Sequence, residues 1–382
     1  MSARTIVGPD DQNVTFVELF FDLVFVFSVT QVVGLLHHHL DWTGVGQSIL
    51  VFWLVWWAWT QFTWALNAAD TTHPAVELGT LAATGVAFFM AVSVPGAFGD
   101  RAIWFAIPYV LVRTIGLGLY AWVARAADPT QHAAVRRFGL VSVFGLVAVL
   151  AGGFAGGGAL QYAFWGGAIV LDLIAALVGA DVEGWNLHPE HFAERHGLFV
   201  IIALGETLIV AAGGLSGATL TGDLLLVGAL SVAATCAMWW SYFACAKGEL
   251  DRAIEEASGI RQSQLARDAF SLLHFPLALG IIAFAVGIEE IVMHPETPLA
   301  LPGRAALGTG LFLFTFGMAA AWWRATRQWL VKRVVLSILT TVAVIVAGGI
   351  APLYTLAIAC AGLVLLGLLE YREDEVSEDL AF

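Results

Sequence analysis

The sequence predicts an all-α, polytopic membrane protein with about 12 transmembrane helices. Three observations carry that reading. Of 382 residues, 59% are hydrophobic and only 12% are charged, where a soluble domain carries about 25% charge. Mean hydropathy is +0.82. Apolar runs recur along the chain at about twenty residues each, the length a helix needs to cross roughly 30 Å of hydrocarbon. A transmembrane β-barrel would instead alternate over segments of about ten residues, and none occur.

Residues 1–16 are polar and carry no cleavage site of small residues, so the first apolar segment is expected to be retained as a span. The candidate spans are 16–36, 46–66, 76–96, 102–123, 136–153, 160–180, 196–214, 223–245, 269–291, 304–324, 333–349 and 351–369. A very tight turn joins the last two, which leaves eleven spans or a re-entrant hairpin open. With the N-terminus inside, fourteen Lys and Arg fall in inner segments, Arg101 and Arg304 in outer ones, and Arg113 within a span. That asymmetry places both termini of the multi-pass chain in the cytoplasm. Trp42, Trp53, Trp64, Trp239, Trp240, Trp322, Trp323 and Trp329 sit mostly towards span ends, as an aromatic belt. Trp56, Trp57 and Trp59 lie deeper and are expected to pack between helices. Cys236, Cys245 and Cys360 read as small core residues without a disulfide framework.

A weak repeat lays Val17-Glu18 through Thr30-Gln31 over Ala193-Glu194 through Glu206-Thr207. It implies two parallel six-helix halves, 1–187 and 188–370, followed by an acidic cytoplasmic tail at 371–382. The net charge of −13 lies partly in that tail, and no basic patch points to nucleic acid.

Ionisable residues inside spans are the best functional clue. Arg113, Asp172 and Glu206 fall near the midplane. Glu206 stands 11 residues beyond Arg195, about 16 Å along a helix and on the same face. Arg113 is expected to pair with Asp172 or Glu206, leaving the other acid to hold a proton or a cation. Asp22 and Glu18, at i,i+4 on one face, lie in the cytoplasmic half, where they cap the helix or meet basic loops. His274 precedes Pro276, which frees a backbone carbonyl and favours a kink. Glu194, Arg195 and His196 complete the candidate pathway. Gly116 and Gly118 flank Arg113 and admit close helix approach, and the glycines at 152–153 and 156–158 mark a loop or a close approach.

The blander readings stand beside these: a fixed charge network that locks helix packing, and a hydrogen-bonded core histidine at 274. His37, His38 and His39 with Asp41, and His188, His191 and His196 with Glu194, resemble metal sites by composition only. No HExxH, Walker A or GxSxG sequence occurs. No catalytic residue, metal or cofactor is therefore expected, and the protein is not expected to be an enzyme.

Val17-Glu18-Leu19-Phe20-Phe21-Asp22-Leu23-Val24-Phe25-Val26-Phe27, the run His191 to Glu206, and His274 with its Pro and Gly resemble the bacterial low-temperature-requirement A (LtrA) family. The likeness extends over nearly the whole chain. It implies an integral membrane protein linked by name to growth in the cold, and brings no catalytic residues. The expected role is a secondary transporter or permease of the bacterial inner membrane for a small solute or ion such as a proton, using the buried carboxylates. The alternative is a non-transporting sensor or stress-adaptation protein with a structural charge network.

Overall fold

A computed structural model describes residues 5–9, 12–180, 185, 187–217 and 219–379, with side chains up to Glu370 except Ala180. The side chains of the acidic tail lie outside the described residues. The described chain is helical: α1 (Phe16–His38), α2 (Trp42–Ala68), α3 (Pro74–Ser93), α4 (Ala102–Ala127), α5 (Pro129–Ala155), α6 (Gly158–Ala180), α7 (Pro189–Gly217), α8 (Gly222–Phe243), α9 (Lys247–Glu255), α10 (Gly259–Leu265), α11 (His274–Met293), α12 (Leu301–Thr326), α13 (Val331–Val346) and α14 (Pro352–Asp379). One isolated antiparallel bridge pairs Val7 with Ala69.

Among the described residues, 11 helical segments are long and apolar enough to cross a membrane. The eleventh apolar segment of the sequence becomes α13, whose 16 residues span about 24 Å at 1.5 Å each. It ends before Gly348 and Gly349, the latter at φ 80°. The ninth span starts earlier than expected, at Gly259, because α10 runs through a π-helical stretch, Ala266–Leu272, into α11.

The chain forms two compact units. The first comprises Met1–Leu35, Thr43–Phe199 and Ile254–Ser271, and the second Leu36–Trp42, Val200–Ala253 and Leu272–Phe382. In the first, α3 to α6 pack as successive neighbours. Asp128 caps α5 by accepting from the Thr130 and Gln131 amides, and the Thr130 amide holds its carboxyl below the usual range. Turning α5 into α6 takes three consecutive left-handed glycines, Gly156, Gly157 and Gly158. Trp56, Trp57 and Trp59 are buried as expected, but so is Trp53, which sequence position assigned to the belt.

In the second unit α11 packs on α12 and α8 on α14. Glycine brings the first pair together. A Cβ on Gly310 would lie 2.4 Å from the Phe284 amide nitrogen, and one on Gly280 the same distance from that of Phe314. Gly310→Ala is thus expected to cost about 1–3 kcal/mol by overpacking and to lower the midpoint in thermal unfolding. Gly118→Ala, with nothing within 4 Å of its Cβ, is the neutral control. Of the cysteines only Cys360 is buried. Cys236 is exposed and Cys245 intermediate, which corrects the core reading for those two.

Candidate functional site: two arginine–carboxylate centres

The first centre is built by α1, α2 and α7. Thr15 opens α1, and Glu18, three residues on, reaches back: Glu18 Oε2 accepts from the Thr15 amide and hydroxyl, both at 2.9 Å. This is the reciprocal half of a capping box. One turn later Asp22 lies on the same face. Arg195 of α7 joins them, Nη1 donating to Glu18 Oε1 at 2.7 Å and Nη2 to Asp22 Oδ1 at 2.6 Å. All three side chains are 0% exposed. Trp59 Nε1 donates to the same Asp22 oxygen at 2.7 Å, and its ring lies 5.9 Å from the Arg195 guanidinium carbon.

His191 completes the centre one turn before Arg195. Its Nε2 stands 3.1 Å from Glu18 Oε1, and its Nδ1 lies 3.0 Å from Asn67 Nδ2. Asn67 is oriented by accepting from the His188 amide through Oδ1 at 2.9 Å. Its Nδ2 therefore donates to Nδ1, which places the imidazole proton on Nε2, facing Glu18. Of the two roles the sequence left open, Glu18 caps the helix, whereas the base both acids meet is Arg195, buried inside α7 and not in a basic loop. Arg195, which charge counting put in an inner segment, is fully buried. Asp22 Oδ2 is buried with no hydrogen-bond partner.

The second centre lies between α4 and α6. Arg113 donates to Asp172 Oδ1 from Nη1 at 3.2 Å and Nη2 at 3.3 Å, and to the Tyr109 hydroxyl at 2.7 Å. Of the two partners the sequence allowed Arg113, Asp172 is the one it holds. The indoles of Trp53 and Trp57 also come within interaction range of Asp172, while Asp172 Oδ2 closes no hydrogen bond. Gly116 lets α2 come close to α4 beside this centre, since a Cβ there would meet Phe62 at 2.8 Å, whereas Gly118 faces open space.

The remaining candidates fall elsewhere. Glu206 is buried in the second unit beside Thr207, whose hydroxyl pairs with that of Thr235 at 2.7 Å. Glu194 is exposed, off the Arg195 face. His196 is buried, Nδ1 2.9 Å from the Phe192 carbonyl oxygen and its ring 5.0 Å from that of Trp59. His274 Nε2 lies 2.8 Å from the Tyr242 hydroxyl, and the helical irregularity near Pro276 is the π-helical stretch just before it. His37 Nδ1 lies 3.5 Å from Glu289 and 3.3 Å from Glu290. Among the described residues no group of three His, Cys, Asp or Glu stands in a metal-ligating arrangement.

A third arginine was not foreseen. Arg333 of α13 is 1% exposed and grips Glu370 of α14 bidentately, at 2.7 Å for both bonds, while donating to the Ser241 carbonyl at 3.0 Å.

The polar residues that carry these centres fall within a family match. Residues 13–368 fit the model described as "Bacterial low temperature requirement A protein (LtrA)". The chain belongs to the LtrA family. A curated relative of this LtrA protein, "Uncharacterized protein RA0937" of Rhizobium meliloti (strain 1021), is 30% identical over 296 residues, covering 75% of this chain and 71% of the relative. The LtrA chain is thus a multi-pass membrane protein whose candidate spans enclose two arginine–carboxylate centres.

Proposed function

We propose that this LtrA protein is a secondary transporter or permease for a small solute or ion, working through intramembrane carboxylates. The observation that carries the reading is Asp22 Oδ2: one oxygen of this buried acid serves Arg195 and Trp59, and the other has no hydrogen-bond partner. An ionised carboxylate is acceptor-only, so that oxygen is free to take a proton or a cation. Asp172 shares the pattern in part: its Oδ2 closes no hydrogen bond, but the Trp53 and Trp57 indoles stand within interaction range of the acid. Glu206 and Asp172 are the coupling acids, Arg113 their counter-charge or an anion contact, and Asp22 and His274 part of the inner pathway. The protein carries no enzymatic activity in this reading. It has two six-helix halves and both termini in the cytoplasm, supported by the Lys and Arg distribution. An even number of crossings then requires α13 to cross as a short helix, which a locally thinned bilayer accommodates.

Proton flux into liposomes holding purified protein, followed with an internal pH dye, tests the proposal. Asp22→Asn and Glu206→Gln are expected to bring flux to the protein-free background while the protein still inserts. Wild-type flux in both variants would remove these acids from the mechanism.

The grip on Arg195 from two sides, Nη1 on Glu18 and Nη2 on Asp22, favours a second reading, a non-transporting sensor or stress-adaptation protein in which the charges lock helix packing. In that case the same substitutions lower thermal stability and wild-type liposomes show no flux.

A further inference from the structure

The first centre holds an uneven set of charges. Glu18, Asp22, Arg195 and His191 are each at most 1% exposed. Arg195 is a permanent cation. Glu18 meets donors at both oxygens: Arg195 Nη1 on Oε1, and the Thr15 amide and hydroxyl on Oε2. An acceptor-only carboxylate fits them all. These two charges cancel, so the balance rests on Asp22 and His191. Of the other ionisable groups nearby, Glu190 and Glu194 of α7 are exposed. His196 turns Nδ1 to the Phe192 carbonyl and packs among the rings of Trp56, Trp59 and Phe270. Arg267, on the stretch that carries Phe270, is matched by Asp268, Nε to Oδ1 at 2.5 Å.

His191 gains no positive charge without breaking a bond. One peptide residue fixes both ends of the Asn67 amide: Oδ1 accepts from the His188 amide at 2.9 Å, and Nδ2 donates to the His188 carbonyl at 2.8 Å. The second hydrogen on Nδ2 is therefore the one that meets His191 Nδ1, at 3.0 Å. A proton on Nδ1 would set two N–H groups against each other. Asn67 thus holds the imidazole neutral. An ionised Asp22 would then leave two carboxylates against one guanidinium. A buried group that would carry such an excess charge neutralises instead. Asp22 is arranged to do so. Its Oδ1 takes both donors, Arg195 Nη2 at 2.6 Å and Trp59 Nε1 at 2.7 Å, and its Oδ2 closes no hydrogen bond. That division suits a carboxylic acid with Oδ1 as its carbonyl and Oδ2 as its hydroxyl. A hard metal cation takes about six or more oxygen ligands, whereas the groups that meet Asp22 are N–H donors. We propose that the first centre holds one proton at rest, on Asp22 Oδ2 and not on His191. This rests on the reading of Asp22 as the acid that is loaded, and names its load as a proton.

Infrared difference spectroscopy on the full-length protein in lipid vesicles tests it, through the carbonyl stretch of a protonated carboxylic acid. At neutral pH the wild type is expected to show such a band, shifted in deuterated water and lost in Asp22→Asn. The band should also shift when aspartate carries carbon-13 at its side-chain carboxyl, and it should survive in Asp172→Asn. The label and the second variant together assign the band to Asp22 even where Asp22→Asn fails to fold. Sodium or potassium added at constant pH should leave it unchanged. A wild type without the band at neutral pH, or a band that neither the label nor folded Asp22→Asn affects, overturns the proposal. So does a band that sodium or potassium abolishes, which would make a metal ion the occupant. Flux measured on the same vesicles keeps the two claims apart. The band without proton flux would leave the proton on Asp22 and remove the transport reading, and flux without the band would do the reverse.

Discussion

Arg195→Met is expected to be among the most damaging single substitutions in this protein. It removes the cation from between Glu18 and Asp22, both fully buried. Two carboxylates would then face each other with no counter-charge in a place water does not reach. Breaking a buried ion pair by removing one partner costs about 3–5 kcal/mol, and here two acids lose the same partner. The expected result is a fall in thermal midpoint on the order of 10 °C, read by scanning fluorimetry on purified protein. Arg195→Lys should fall less, since it restores the charge but one ammonium replaces a fork that addresses two carboxylates. Combining Arg195→Met with Glu18→Gln and Asp22→Asn should recover part of the loss. A wild-type midpoint for Arg195→Met would mean that the centre does not hold α1 to α7.

The helical membrane class was legible because it follows from local quantities, the hydropathy and length of each run. The polar face of α1 was legible for the same reason: Glu18 and Asp22 are one turn apart. Capping by Glu18 was among the expected roles; the Thr15 it reaches back to, three residues earlier, was not named. What faces Asp22 was not legible, because Arg195 lies 173 residues away and no local rule selects it. The helix periodicity instead drew attention to Arg195 and Glu206 on one face of α7, whereas the hydrogen bonds of Arg195 go to α1. Arg113 and Asp172 were found as deep charges, since a charge in an apolar run is conspicuous. Arg333 and Glu370 were missed because each sits at a segment end, where charges are ordinarily solvated. The boundary of α13 depended on where two glycines end a helix, and boundaries are the least certain part of any periodicity argument.

The Arg113–Asp172 centre separates the two readings of the buried charges. Arg113→Leu would leave Asp172, 2% exposed, without its base, and Asp172→Leu would leave a fully buried guanidinium with only the Tyr109 hydroxyl. Each single change is expected to cost about 3–5 kcal/mol. The double substitution should recover most of it, since apolar residues of similar volume often replace a buried ion pair at little cost. Thermal unfolding of the four proteins in this cycle measures the coupling between the two side chains, and a double variant no more stable than the singles would deny it. Flux measured on the same four proteins then divides lock from carrier. A packing lock needs only shape and neutrality, so the stable double variant would behave as wild type in every assay. A carrier needs the acid itself, so the double variant would fold and yet fail to move its substrate.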